Sequence, residues 1–255
     1  MISGKPQVVL VHSELGTLQM GGNLQNLQWG RVPVVILAAY QADDKRTTWR
    51  GEPYDQGCIV RGNMKWDRRV SNDEDIHDIL DEAFRVACTD PTGPVYLYFP
   101  FDYFTQTVDK PDVLPVPLAI EPLPPADAHA LGRAAELLLE AERPLIVTGF
   151  AGRYPQNVGA LVRLAETLCA PVLTGQVWMN FPTTHPLCLG IEKIGGGRGP
   201  NPGIAEADVI LAIDYDMPYV PAEGMPAADA TIIHIDVDPL TNGRLLWERG
   251  ADLFI

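Results

Sequence analysis

The chain has 255 residues, 46% of them hydrophobic, which suits a globular protein of two domains and argues against disorder. Its 33 acidic and 19 basic residues give a net charge of −14, which disfavours nucleic acids and anionic membrane surfaces as partners. No apolar run approaches the roughly 20 residues of a membrane-spanning helix, and no secretory signal pattern opens the chain, so we expect a cytoplasmic protein.

Short apolar runs alternate with longer stretches of helical period, which predicts parallel sheets covered by helices. Most runs are apolar throughout, as expected of strands that are buried on both faces of a sheet. The predicted strands are residues 8–11, 33–38, 94–99, 145–148, 171–173, 209–213 and 232–235. Helices are predicted between them at residues 75–87, 126–141 and 157–168. The pattern therefore predicts an α/β fold.

A break in composition separates two blocks of the chain. Residues 107–125 contain six prolines and show no periodicity, and proline can continue neither a helix nor a central strand. We interpret this segment as an interdomain linker. It leaves an N-terminal domain at residues 1–106 and a C-terminal domain at residues 126–255, each of ordinary domain size.

The four cysteines are too widely spaced for a disulfide scaffold or a metal-binding pair, and we expect them to be small core residues. The five histidines are equally scattered. Only His234 lies inside an apolar strand, where a core histidine is favoured over a metal ligand. This spacing predicts no metal site.

The strongest local pattern is the segment 10–23, where a buried strand runs into a turn with Gly16 and then into a helix that Thr17 can cap. In open α/β sheets, ligands bind at helix N-termini that follow the carboxyl ends of strands. A tight strand-to-helix turn without a ligand explains the pattern equally well.

Three further loops are weaker candidates. The loop at residues 49–61 carries Gln56. Its polar residues either face a substrate or form hydrogen bonds with the ends of neighbouring strands, and the second interpretation is favoured. The turn at residues 147–153 is similar to the first turn of a dinucleotide-binding fold, but it lacks one glycine of that fingerprint. The glycine-rich segment 195–200 carries Arg198, which offers an anion contact, and a flexible connection is the favoured reading.

Taken in order, these segments resemble the thiamine diphosphate-dependent enzymes of the acetolactate synthase and pyruvate oxidase type, over essentially the whole chain. In the first domain the resemblance lies in Gly16-Thr17-Leu18-Gln19, Gly21-Gly22, Arg31-Val32-Pro33-Val34-Val35, Asp55-Gln56-Gly57, Lys65-Trp66-Asp67 and residues 92–102. In the second domain it lies in residues 143–149, 185–190, 207–211 and 233–239.

This resemblance implies two parallel-sheet, three-layer domains. The first is an incomplete pyrimidine-binding domain and the second is a Rossmann-like central domain. It places Gly16, Thr17, Gln19 and Gln56 on the side of the cofactor or substrate. It also implies that the cofactor-activating glutamate lies upstream of Met1 and that the segment holding the diphosphate and Mg²⁺ follows Ile255. The chain would then be an internal piece, inactive by itself.

The activity that the resemblance implies is formation or cleavage of a C–C bond beside a carbonyl, with a 2-oxo acid-like substrate and a homodimer or homotetramer as the assembly. FAD is a possible further cofactor but is disfavoured, because Pro91-Thr92 stand where flavin-binding members carry arginine. The alternative is a noncatalytic subunit that binds a nucleotide or a partner. An independent dehydrogenase is disfavoured because neither glycine turn completes the dinucleotide fingerprint.

Overall fold

The computed structural model describes residues 3, 5–41, 55–107, 123, 125–191, 201, 203–216, 224–238 and 250–255. The chain divides into two compact units, Met1–Pro122 and Leu123–Ile255. Most of the proposed linker, residues 108–122 and 124, lies outside the described residues. Both units have parallel sheets with helices, which confirms the predicted α/β fold class.

The first unit is built on a four-stranded parallel sheet with the strand order β1-β2-β4-β3. Its strands are β1 (Gln7–Val11), β2 (Val34–Tyr40), β3 (Trp66–Arg69) and β4 (Val95–Pro100). The two central strands β2 and β4 are apolar and almost wholly buried, as the sequence predicts.

Helices cover the two faces of this sheet unequally. Its helices are α1 (Ser13–Gln19), α2 (Gly21–Trp29) and α3 (Ile76–Cys88). Leu24 of α2 packs on one face against Ile36, and Ile79 of α3 packs on the other face against Leu97. The Asp75 carboxylate accepts a hydrogen bond from a backbone N–H of the first turn of α3 and so fixes where that helix begins.

Strand β1 is an edge strand whose apolar side chains are exposed. The exposed fractions are 54% for Val8, 40% for Val9 and 71% for Leu10. The register sets Val8 beside Val35 and places Leu10 one step further along the same face. The sequence predicts a strand buried on both faces, and the described residues cover neither face of β1 fully.

The second unit contains a six-stranded parallel sheet with the order β10-β9-β8-β5-β6-β7. Its strands are β5 (Pro144–Thr148), β6 (Val172–Thr174), β7 (Cys188–Ile191), β8 (Val209–Ile213), β9 (Thr231–Ile235) and β10 (Leu253–Phe254). The chain enters at the central strand β5 and adds later strands on both sides of it, which is the Rossmann-like arrangement that we expected.

The helices α4 (Ala128–Glu140) and α5 (Pro155–Leu168) pack on this sheet through a common core. Ala134 of α4 and Leu161 of α5 contact a core that includes Ile146 and Leu211 from the two central strands. The buried His234 lies in β9, in agreement with its prediction as a core residue. None of the helices in the described part of the chain combines the length and apolar character that a bilayer crossing requires.

The prediction that all four cysteines are core residues is wrong. Cys58 and Cys169 are exposed, Cys88 and Cys188 are half-buried, and all four are free thiols. Cys58 lies in a surface 3₁₀ turn, and Cys169 ends α5 with a φ of 50°. Cys169 lies at the end of a helix and Cys58 on a short surface turn, where chain geometry rather than apolar character decides the position.

Asp208 ties the starts of β5 and β8 together. Its Oδ2 accepts a hydrogen bond of 2.7 Å from the Glu142 backbone N–H, and its Oδ1 accepts one of 2.9 Å from the Arg143 N–H. Desolvation opposes ionisation, but these backbone hydrogen bonds outweigh it and hold the pKa of Asp208 below its usual value.

We expect Asp208→Asn to lower the free energy of unfolding at pH 7 by about 1 kcal/mol, because an amide has one acceptor oxygen for two N–H donors. Since the folded pKa is lowered, the contribution of Asp208 is present above its unfolded pKa and is lost as the pH falls through the folded value. Urea unfolding of both proteins at pH 7 and at successively lower pH, to below the folded pKa of Asp208, measures this. A difference that persists unchanged in acid contradicts the prediction.

Candidate functional site

A buried glutamine lies where β2 ends. The 3₁₀ turn Gln56–Ile59 carries Gln56, whose side chain is 2% exposed. Its Nε2 donates one hydrogen bond of 3.1 Å to the Ala39 carbonyl and another of 2.7 Å to the Tyr96 hydroxyl. The amide group of Gln56 therefore bridges the two central strands of the first sheet.

Thr17 extends this hydrogen-bond chain to helix α1. Its hydroxyl donates to the Ser13 carbonyl at 2.8 Å, and its oxygen lies 2.7 Å from the Tyr96 hydroxyl. Because the single proton of Thr17 is used on Ser13, the Tyr96 O–H is the donor to Thr17. The prediction that Thr17 caps the helix is wrong, since α1 already begins at Ser13 and Thr17 lies inside it.

The hydrogen bonds determine the orientation of the Gln56 side-chain amide. Rotating the amide by half a turn would set Oε1 against the Ala39 carbonyl, two acceptors that repel each other. The Nε2 group therefore faces Ala39 and Tyr96, and Oε1 points away from them. This oxygen is buried and has no hydrogen-bond partner among the described residues. It is an acceptor that a bound N–H or O–H donor can satisfy.

An arginine clamp holds the turn that carries Gln56. Arg61 binds Asp67 of β3 through two hydrogen bonds of 3.0 and 2.8 Å and binds Asp55, the residue before Gln56, at 3.1 Å. A Cβ atom on Gly57 would lie 2.4 Å from the Asp67 carboxylate, so only glycine leaves room for the clamp. The clamp and Gly57 together fix the backbone on both sides of Gln56.

The ionisable groups around this turn keep fixed charges. The hydrogen bond from Arg61 is the main cause that lowers the pKa of Asp55. Burial is the main cause that raises the pKa of Tyr98, which donates to Asp55, to about 12. Near neutral pH, Asp55 is therefore an anion and Tyr98 is a neutral donor. These groups hold the turn in place and are poorly suited to proton transfer there.

The structure brings together two of the four residues that the resemblance singled out. Thr17 and Gln56 meet through Tyr96. Gly16 has a packing role, because a Cβ atom there would lie 3.1 Å from Cβ of Val11 and would push α1 away from the end of β1. Gln19 is exposed near the end of α1.

Sequence reasoning missed Tyr96, the residue at the centre of the network. A signal for it is present in β4, where tyrosines alternate with apolar residues in a strand otherwise suited to complete burial. A fully buried tyrosine needs a partner for its hydroxyl, so Tyr96 predicts a buried polar group beside it.

The turn after β5, the third sequence candidate, uses its backbone donors inside the protein. The N–H groups of Gly149 and Phe150 donate to the Asp214 carbonyl at 3.2 and 2.8 Å. The Gly152 N–H donates to the Asn180 side chain at 2.9 Å. These three groups stabilise the end of the sheet and are not presented to an anion.

Two further candidates for a site are a cluster of metal-binding side chains and the glycine-rich loop. Within the part of the chain that the structure describes, no cluster of three or more His, Cys, Asp and Glu side chains is arranged to hold a metal ion. The loop with Arg198 lies outside that part. The network of Gln56, Tyr96 and Thr17 is therefore the candidate site that the geometry supports.

Comparison with known proteins finds similarity to thiamine pyrophosphate enzymes. Residues 131–248 match the family described as thiamine pyrophosphate enzyme, central domain. The chain is 28% identical over 247 residues to sulfoacetaldehyde acetyltransferase of Rhodobacter capsulatus, covering 93% of this chain and 40% of that protein. It is 31% identical over 191 residues to a probable acetolactate synthase large subunit of Methanocaldococcus jannaschii, covering 69% of this chain and 31% of that protein.

Solved structures support the same fold. Benzoylformate decarboxylase from Polynucleobacter necessarius superposes with a TM-score of 0.79 at 21% identity, covering 97% of this chain and 46% of that one. The chain spans about two fifths or less of the length of the two curated relatives named above.

Proposed function

Because the chain belongs to the thiamine pyrophosphate enzymes through its central domain, residues 131–248, we propose that it is part of an enzyme that forms or cleaves C–C bonds beside a carbonyl. The substrate in this proposal is a 2-oxo acid or a similar small molecule, handled in an acetolactate synthase-like decarboxylation or carboligation. The names of the two curated relatives, an acetyltransferase and an acetolactate synthase, support this class of reaction.

The observation that carries the proposal is the buried Oε1 of Gln56, which lacks a partner among the described residues. Thiamine diphosphate, when bound, supplies the carbon nucleophile that adds to a substrate carbonyl. Its aminopyrimidine ring carries an exocyclic amine, a donor that a fixed amide oxygen suits. The residues present therefore fit the cofactor at this position.

In this proposal Gly16, Thr17, Gln19 and Gln56 line the side of the cofactor or substrate. Gln56 accepts a hydrogen bond from the bound molecule, and its orientation is held by the chain of hydrogen bonds through Tyr96 to Thr17. Preorganised polar groups of this kind cost little reorganisation when a ligand binds. Gly16 lets α1 approach the end of β1, and Gln19 lies near the exposed end of the same helix.

The remaining parts of the proposal are the domain roles and the assembly that the resemblance to the family implies. Residues 1–106 would contribute the pyrimidine side, residues 107–125 a linker, and residues 126–255 the central domain. Ligands for Mg²⁺ and the diphosphate would come from polypeptide outside these 255 residues. The intact enzyme would be a homodimer or homotetramer, and FAD is not part of the proposal.

Calorimetric titration with thiamine diphosphate and Mg²⁺ tests the proposal on two proteins. We expect no specific binding by these 255 residues alone, because the groups that grip the diphosphate are not among them in this proposal. The complete product of the gene should bind the cofactor, and Gln56→Ala should weaken that binding about tenfold, the loss of one buried hydrogen bond. The Gln25→Ala variant, altered at an exposed position of helix α2 that the proposal does not place at the site, serves as the control.

Two results contradict the proposal. Micromolar affinity of the 255 residues alone would show that the site is already complete within them. Absence of cofactor binding by the complete gene product would favour the alternative, a noncatalytic subunit that binds a nucleotide or a partner. Titration of that product with ADP and NAD then examines the alternative directly.

A further inference from the structure

The carboxyl end of β5 is the place in the second sheet where a dinucleotide would be expected to bind. The chain adds β6 and β7 on one side of β5 and then crosses to β8 on the other side. Open α/β sheets bind ligands in the crevice at such a reversal, above the glycine turn that follows the first strand. The room above the turn at residues 149–152 therefore decides whether the second unit can hold FAD or NAD.

The ring of Tyr215 fills this crevice directly against Gly149. A Cβ atom on Gly149 would lie 2.2 Å from Cδ2 of Tyr215, and a Cβ atom on Gly175 would lie 3.0 Å from the Gly149 Cα. Tyr215 is 7% exposed and belongs to the same core cluster as Phe150 and Ile210. In a dinucleotide-binding turn, glycine lets the pyrophosphate approach the backbone. Here the space beside Gly149 is taken by a side chain of the same protein.

The segment that carries the ring is held by contacts with three other elements. Asp214 follows β8 with a φ of 48°, and its N–H donates to the Ile235 carbonyl at 2.8 Å. Its carboxylate binds the buried Arg153 guanidinium at 3.2 Å. Nε2 of His234 in β9 donates to the Tyr215 carbonyl at 3.0 Å, because a carbonyl only accepts. The position of the ring is therefore fixed by the fold.

The same segment also uses the backbone donors of the turn. As described above, the Asp214 carbonyl accepts from the N–H groups of Gly149 and Phe150, and the Asn180 side chain accepts from the Gly152 N–H. A pyrophosphate binds at a turn of this kind through free N–H groups. A dinucleotide would have to break these hydrogen bonds and displace a buried ring, so the residues present do not fit FAD or NAD.

We propose that Tyr215 closes the second unit to nucleotides, because its ring occupies the crevice after β5 in which FAD, NAD or ADP would otherwise bind. The ring has this role and the hydroxyl does not, since the hydroxyl is buried without a hydrogen-bond partner among the described residues. The proposal is independent of the Gln56 site, and its test requires no thiamine diphosphate.

Amide hydrogen exchange of the full chain tests the proposal at the turn itself. We expect FAD, NAD or ADP, each at about 1 mM, to leave exchange at Gly149, Phe150 and Gly152 unchanged. In Tyr215→Ala the same amides should exchange about tenfold faster, because the ring no longer covers them. p-Cresol, which has the structure of the tyrosine side chain, should restore slow exchange in this variant by filling the cavity.

Tyr154→Ala is the matched control, since Tyr154 is an exposed tyrosine of the same unit, in contact with Arg153. It should leave exchange at the three amides unchanged, with or without p-cresol. Tyr215→Phe, which keeps the ring, should behave as the wild type, and it replaces the alanine variant if that variant is not folded by circular dichroism. Slower exchange at these amides when a nucleotide is added to the wild type overturns the proposal. Faster exchange in Tyr215→Phe overturns it as well, as does a folded Tyr215→Ala variant that p-cresol does not affect.

Discussion

Replacing Gly152 with alanine should lower the free energy of unfolding of the second unit by about 3 kcal/mol. A Cβ atom at this position would lie 2.3 Å from the Met179 carbonyl oxygen and 2.6 Å from its carbon. These are backbone atoms, so no side-chain rotation relieves the overlap. The neighbouring Asn180 side chain accepts from the Gly152 N–H and donates to the Gly149 carbonyl, so a shift there breaks further hydrogen bonds.

Gly132→Ala is the matched control for this prediction. Gly132 is exposed on α4, and a Cβ atom there meets nothing within 4 Å. Alanine at this helix position should raise stability by about 0.5–1 kcal/mol. Urea unfolding of both variants measures the two effects. Equal effects of the two substitutions would mean that the contact with Met179 does not constrain the fold.

Replacing Tyr96 with phenylalanine should lower the free energy of unfolding of the first unit by about 2–3 kcal/mol. The substitution leaves an N–H of Gln56 and an acceptor site of Thr17 unsatisfied in a buried place. It also removes one of the two contacts that orient the Gln56 amide. We therefore expect its effect to exceed that of Tyr98→Phe, where the lost hydrogen bond reaches the partly exposed Asp55.

A double-mutant cycle separates the network from simple packing. Adding Thr17→Val to Tyr96→Phe removes both partners of one hydrogen bond, so the pair should cost less than the sum of the single changes by about 1 kcal/mol. Chemical denaturation of the four proteins gives the coupling. Strict additivity would show that Tyr96 and Thr17 act independently, and the directional network would then be wrong.

The elements that sequence predicted well are those with a strong periodic pattern. Residues 209–213 were predicted as a strand and form β8 with the same bounds, and helix α3 differs from its prediction by one residue at each end. Elements without such a pattern are not predicted from the sequence. Strand β3 is a polar edge strand of four residues, and α2 is rich in amide side chains with only Leu24 buried. No periodic pattern in the sequence predicts either of these two elements with its bounds.

The candidate site shows a similar division. The resemblance selected Thr17 and Gln56, and the structure joins them. Both contact Tyr96, which lies 79 positions from Thr17 and 40 positions from Gln56 in the chain. Local periodicity contains no information on contacts between residues so far apart. The capping role expected of Thr17 failed because the N-cap of α1 is His12, five residues before Thr17.

The exposed thiol of Cys58 stands two positions after Gln56, on the same 3₁₀ turn. A maleimide fluorophore attached there would report occupancy of the Gln56 site through its emission, without radioactive or coupled assays. Cys169 is the other exposed thiol and Cys88 and Cys188 are half-buried, so a background with these three cysteines replaced by serine confines the label to this turn. The natural sequence thus already contains an attachment point for an optical sensor beside the residue of interest.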